Sequence, residues 1–136
     1  MKRYIITILI LLTSFSSTVF AAQQPSIALS AAESFVSIID CGDYLTAYSR
    51  SSPLLKQLNP QQKWIDEQKL ASQLLGKVID RQLLAVKARD AHPGMPDGCY
   101  LIVCYQTVTT DKDRAIEMLL LKEENQKWSV CNYSIR

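Results

Sequence analysis

A guanidinium and a carboxylate on strands of one sheet can bind a polar ligand or hold each other, and Arg81 and Glu117 are the best placed such pair in this chain. Tyr105, Thr107 and Trp128 are expected to flank Glu117 on the same sheet face. Together they would make an amphipathic wall suited to a small molecule or a protein edge. The plainer use is a structural ion pair, because strands tolerate partly buried charge only when it is paired. Asp40 and Asp43 can be drawn as an acid/base pair, but a helix end followed by an N-cap accounts for both. His92 is the single histidine and precedes a proline in a loop. With it stand no Gly-x-Ser-x-Gly elbow, no phosphate-binding glycine loop and no Cys-x-x-Cys pair, so no catalytic residue, metal site or cofactor is assigned.

The front of the chain sets the compartment expected for any chemistry. Lys2 and Arg3 precede an apolar run from Tyr4 to Leu12, then a Ser/Thr-rich step to Val19-Phe20-Ala21. This predicts a cleaved export signal over residues 1–21 and a single domain over 22–136, periplasmic or secreted. The apolar run is short for a bilayer core of about 30 Å, and no cysteine sits where a lipid anchor would attach. Without Lys2 and Arg3 the basic and acidic residues balance at 13 each. Nucleic-acid binders need an excess of Lys and Arg to displace counterions, and anionic membrane surfaces need a basic block; the chain carries neither.

Four cysteines in an exported chain suggest disulfides. Cys99 and Cys104 would lie about 16 Å apart on a continuous strand, and Cys104 and Cys131 about 9.6 Å apart across an intervening strand. Both exceed the roughly 7 Å between α-carbons that a disulfide spans. One intramolecular bond is left as a candidate, from Cys41 to Cys104 or Cys131.

The elements that must position these residues begin with helices. After a polar lead from Gln23 to Ser26, Ser30 and Glu33 have capping-box spacing, and Ala31, Phe35, Ile38 and Ile39 form an apolar stripe. Gly42 closes this helix and Asp43 caps the next, Tyr44 to about Arg50. Ser52-Pro53 and Asn59-Pro60 each place a capping side chain before a proline at the first helical position. They open a short turn through Leu54, Leu55 and Leu58, and a longer helix to Leu75 with Trp64, Leu70, Leu74 and Leu75 as packing residues; Gly76 stops it. From Lys77 the apolar period becomes that of strands: Lys77–Arg89, Cys99–Thr109, Arg114–Glu123 and Lys127–Ile135. Between the first two lies a pre-shaped loop, with Pro93, Gly94, Pro96, Asp97 and Gly98 as its structural residues. The expected fold is α+β, with three to four N-terminal helices packed on one face of a four-stranded antiparallel meander.

Register follows from the loops. With Asn125-Gln126 as a two-residue turn, Glu124 faces Lys127, Leu120 faces Cys131, Met118 faces Tyr133 and Glu117 faces Ser134. Pairing Thr107 with Glu117 sets Cys104 opposite Leu120. Tyr100, Ile102, Cys104, Ile116, Met118, Leu120, Cys131, Tyr133 and Ile135 are then expected beneath the helices. Val103, Tyr105, Thr107, Glu117, Leu119, Leu121, Trp128 and Val130 fall on the open face. That face is too apolar to be left to water, so either a second copy, giving a homodimer, a partner or the chain's own terminus should cover it.

Trp64, Leu75-Gly76, Arg81, the run Pro93-Gly94-x-Pro96-Asp97-Gly98-x-Tyr100, Thr107, Glu117 and the ending Trp128-x-Val130-x-x-Tyr133-x-Ile135 form one pattern. It resembles the bacterial domain-of-unknown-function 4019 family over nearly the whole mature chain. Asn132 stands where that family is expected to have glycine. The resemblance implies an exported α+β domain related to the cystatin-like or nuclear-transport-factor-2-like cone folds, with no assigned activity. Three functions are compatible: a module of the cell envelope that binds a small ligand or an envelope protein; an isomerase- or hydratase-like enzyme with a carboxylate base; and a cystatin-like inhibitor that inserts the Pro93–Gly98 loop into a target. A desolvated carboxylate in a closed pocket would favour the enzyme, and a flat apolar sheet face the interaction module.

Overall fold

The computed structural model describes residues 19–136, with side chains from Pro25 onward. The expected export signal, 1–21, lies outside the described residues except for its last three positions. The order is α1 (Val19–Asp40), α2 (Tyr44–Arg50), α3 (Pro53–Leu58), α4 (Gln61–Leu75), then β1 (Val78–Arg89), β2 (Tyr100–Thr109), β3 (Ala115–Glu124) and β4 (Lys127–Ile135). The strands form one antiparallel meander in the order β1-β2-β3-β4. The class is therefore α+β, as expected. No helix among the described residues is long and apolar enough to cross a membrane.

Most helix boundaries follow from the predicted caps. Asp43 accepts from the Thr46 amide, and Ser52 accepts from the Leu55 amide ahead of Pro53. Two expectations fail. Ser30 does not start a helix, because α1 is already helical eleven residues earlier. Ala28 and Ala32 are fully buried one turn apart, so the packing stripe runs straight through the supposed cap. Asn59 likewise does not cap α4: its side chain donates back to the Leu55 carbonyl, closing α3, and Pro60 stands at the N-cap without a side-chain bond. Of the packing residues assigned to α4, Trp64 is buried, but Leu70 and Leu74 are 55% and 70% exposed. The helix is held by its first two turns, where Trp64 meets Phe35 and Tyr48 at ring centroid distances of 6.4 and 5.7 Å.

On β2 and β3, and for Val130 and Cys131, the two sheet faces are the reverse of the expected ones, whereas Tyr133 and Ile135 lie beneath the helices as expected. Leu101, Val103, Tyr105, Leu119, Leu121, Val130 and Tyr133 pack with Phe35, Val36, Tyr48, Leu55 and Trp64 in the main core. Tyr100, Ile102, Leu120 and Cys131 face the other way, and there Leu54 and Met95 cover part of them. Both faces are apolar, so alternation alone cannot say which one the helices choose. The Asn125-Gln126 turn is as expected, both residues having positive φ (52° and 62°), and Glu124 pairs with Lys127. Beyond it a bulge intervenes: Leu121 pairs with Val130 but Leu120 with Asn132, leaving Cys131 unpaired. Met118 therefore faces Ser134 and Glu117 faces Ile135, one residue later than predicted. The bulge also brings Tyr133 round to the helix side, together with Val130. Between β2 and β3 the slip is two residues: Thr107 pairs with Ala115, Tyr105 with Glu117, and Cys104 with Met118. A two-residue slip leaves each side chain on its own face.

Candidate functional site

Glu117 lies in the middle of the helix-covered face and is completely buried. Four donors converge on it. Its Oε2 accepts from Arg81 Nε at 2.6 Å and Thr107 Oγ1 at 3.0 Å; its Oε1 accepts from Tyr133 Oη at 2.7 Å and Arg81 Nη2 at 3.2 Å. A carboxylate offers about four lone-pair sites, so all are filled. On its other side the guanidinium donates to both oxygens of Asp40, Nη1 at 2.8 Å and Nη2 at 2.9 Å. Arg81 thus joins the end of α1 to the centre of the sheet, with its charge 5.8 Å above the Tyr105 ring.

Each position has a local cause. Arg81 faces Thr107 across the β1–β2 ladder and Tyr105 faces Glu117 across β2–β3, so three adjacent strands present the cluster on one face. Tyr133 joins through the β4 bulge. Asp40 ends α1, where a negative charge opposes the helix dipole and calls for a cation from elsewhere. Burial alone would lower the Arg81 pKa, but its hydrogen bonds to Asp40 and Glu117 prevail and hold it above the ordinary value. Burial, followed by the Glu117 charge, pushes the Tyr133 phenol up. Arg81 is therefore charged at neutral pH, and Tyr133 is a neutral phenol that donates to Glu117.

Of the predicted wall, Arg81, Tyr105, Thr107 and Glu117 do come together. Trp128 does not: it pairs with Glu123, six residues along β3 from Glu117, or about 20 Å. Asp40 and Tyr133 complete the cluster but were not assigned to it from sequence. The acid in the last turn of α1 was an available signal for Asp40. Tyr133 was expected beneath the helices but on the face opposite Glu117, and it is the bulge that puts the two on one face. Beside the cluster, α1, α4 and the sheet enclose a cavity of about 70 Å³ that Asp40 and Tyr133 help to line.

The cysteines depart from expectation, for all four are free. Cys41 follows α1 on the helix side, whereas Cys104 and Cys131 lie on the opposite sheet face, so the sheet itself separates the proposed partners. Burial raises the Cys131 thiol to about 11, which leaves about one thiolate per thousand at pH 8. A disulfide-exchange reagent at pH 8 is expected to modify the exposed Cys41 and Cys99 promptly and Cys131 only after denaturation, with four thiols counted in denaturant without reductant. Fewer than four would contradict this arrangement. Among the described residues no group of His, Cys, Asp or Glu has the geometry to hold a metal ion.

The predicted loop is anchored by its own residues: the Tyr100 hydroxyl donates to the Pro96 carbonyl, Met95 packs on the Tyr100 side of the sheet, and the His92 ring lies 6.1 Å from that of Tyr100. Gly94 and Gly98 have positive φ, and Asp97 sits between the loop's anchored middle and Gly98. Gly94, Pro96, Asp97, Gly98 and Tyr100 of this loop, with Arg81, Thr107, Glu117 and Tyr133, are among the residues that carried the family pattern, and the comparison with known families agrees. The model described as "Protein of unknown function (DUF4019)" matches residues 31–133. The chain belongs to that family. No curated protein matches it. In this DUF4019 chain the matched segment covers the whole Asp40–Arg81–Glu117–Tyr133 cluster and β1 to β3, and it ends two residues short of the end of β4.

Proposed function

We propose that the protein is an exported protein-interaction module of the cell envelope, with a cystatin-like or nuclear-transport-factor-2-like cone architecture, that pairs with a second copy through its open sheet face. The observation that carries this reading is the make-up of that face. Met118, 44% exposed, pairs with the half-buried Cys104 next to the half-buried Ile102, and Ile116, 42% exposed, lies one step along the same face opposite Gln106. Asp80, Gln82, Lys87, Asn132 and Arg136 surround them. An apolar centre inside a polar rim is the anatomy of a protein interface, and a sheet face left to water alternates more cleanly.

The other readings have less support. A general base needs a free lone pair, and those of Glu117 are all occupied by donors. The cavity of about 70 Å³ beside it is well below the roughly 300–1,000 Å³ of small-molecule pockets. An inhibitory loop would have to project, and Pro96 and Met95 tie this one to Tyr100.

Sedimentation equilibrium tests the proposal. The expected result is a dimer with Kd below about 10 µM, and a loss of affinity of at least about 100-fold in Ile116→Glu/Met118→Glu. Because both side chains are exposed, that variant should keep its circular dichroism and unfolding midpoint. A wild-type protein that stays monomeric at several hundred micromolar, or a variant that dimerises equally well, would remove the reading.

A further inference from the structure

On the other side of Arg81 from the small cavity, α1 and the β1–β2 pair border an open groove of about 330 Å³. We propose that this groove is a binding site for an ammonium group on an aliphatic stem, the chemistry shared by a free diamine and a lysine side chain. The site is independent of the open-face dimer, since it lies on the helix-covered side.

Charge is the first argument. Asp40 and Glu117 share one guanidinium, which leaves that cluster with one uncompensated negative charge. Glu33, two turns before Asp40 on the same side of α1, adds another to the groove wall, and among the described residues no cation lies within ion-pair distance of it. Four of the five N–H donors of Arg81 go to Asp40 or Glu117, so the guanidinium is largely spent on the two carboxylates it already holds. The groove therefore favours a cation.

A buried polar group points the same way. Tyr105 lines the groove and is only 5% exposed, yet among the described residues its hydroxyl has no hydrogen-bond partner. A buried hydroxyl without a partner is destabilising unless something completes it. Glu33 and Arg81, two of the charges that act on this phenol, line the groove with it. An ammonium carries three donors and no acceptor. It can give one to the phenolic oxygen, one to Glu33 and one to Ser37 or Asp40, which line the same groove. Arg81 lies over the ring of Tyr105, and the buried hydroxyl is the part of this residue that lacks a partner among the described residues. For the stem, Val36 and the 43% exposed Leu83 supply an apolar wall.

Titration of the isotope-labelled protein followed by amide NMR decides the matter. Cadaverine represents a free diamine, Nα-acetyl-lysinamide a protein side chain, and 1-pentanol an uncharged control. Saturable shifts at Glu33, Ser37 and Tyr105 are expected with one or both amines at Kd of about 1 mM or tighter, and none with pentanol. Glu33→Gln should weaken binding about tenfold, and Tyr105→Phe about threefold or more while leaving the fold intact, since it removes an unpartnered hydroxyl. Tighter binding of cadaverine assigns the site to small diamines; tighter binding of the lysinamide assigns it to a partner's lysine. Shifts that do not saturate, that persist unchanged in Glu33→Gln, or that pentanol reproduces would overturn the proposal.

Discussion

Arg81→Leu is expected to destabilise the domain by about 3–5 kcal/mol, because it leaves Glu117 fully buried and charged without its counter-ion. Domains of this size are stable by about 5–15 kcal/mol, so the variant should sit near the edge of folding at 37 °C. Glu117→Leu should cost a similar amount by a different route. Arg81 would keep its two bonds to Asp40, but the hydroxyls of Tyr133 and Thr107 would lose their buried acceptor. Each such loss costs about 1–3 kcal/mol. In the double variant neither charge is stranded, so its loss should fall short of the two single losses together by about 2 kcal/mol or more. Urea unfolding of the four proteins provides the cycle. Strict additivity would mean that the two side chains do not act as a pair, and single losses below about 1 kcal/mol would place the cluster in an environment far wetter than its burial indicates.

Gly76→Ala is the second large effect. Gly76 has φ 79° and ψ −161°, a backbone region open to glycine almost alone. A methyl group there would also lie 1.8 Å from Thr110 Oγ1 and 2.5 Å from Asp111 Oδ2. Thr110 is not free to turn aside, since its Oγ1 accepts the Lys77 amide at 3.1 Å and its own amide donates to the Lys77 carbonyl at 2.9 Å. The Thr109 hydroxyl and the Asp111 amide both donate to the Leu75 carbonyl, so the end of α4 is tied to the β2–β3 turn at this one point. Strain of about 1–3 kcal/mol plus one lost hydrogen bond of about 1 kcal/mol predicts a loss of about 2–4 kcal/mol. Gly42→Ala is the internal control: φ is 74°, but a methyl group there meets nothing within 4 Å. It should cost only the left-handed backbone penalty, about 1–2 kcal/mol. Equal losses at the two positions would show that the α4–β1 junction relaxes freely.

These two sites account for how the layers are joined. The helices are fixed to the sheet by the aromatic core around Trp64 and Phe35, by the Asp40–Arg81–Glu117 bridge, and by the Leu75–Gly76 junction. Tyr133 belongs to two of these, packing on Phe35 at 5.5 Å between ring centroids while its hydroxyl donates to Glu117. Among the described residues, the side of the sheet away from the helices has no comparable cover beyond Leu54 and Met95. It is there that a partner surface can add stability without disturbing the buried charges.

What the sequence determined by itself was everything governed by neighbours in the chain. The α2 and α3 starts followed from Asp43 and Ser52, the α4 stop from Gly76, the last hairpin from Asn125-Gln126, and the strand order from short connections. The meeting of Arg81, Thr107, Glu117 and Tyr105 was also legible, since a period of two keeps side chains on their face even when register slips by two. Tertiary structure decided the rest. Two apolar faces look alike along a strand, and only the packing of Phe35, Trp64 and Leu55 selected the one that carries Val103 and Leu119. The unpaired Cys131 turned Tyr133 toward Glu117, and no local residue signals that bulge. Ser30 lost its capping role because Ala28 and Ala32 found a sheet to pack on, and burial of that stripe outweighs a local cap.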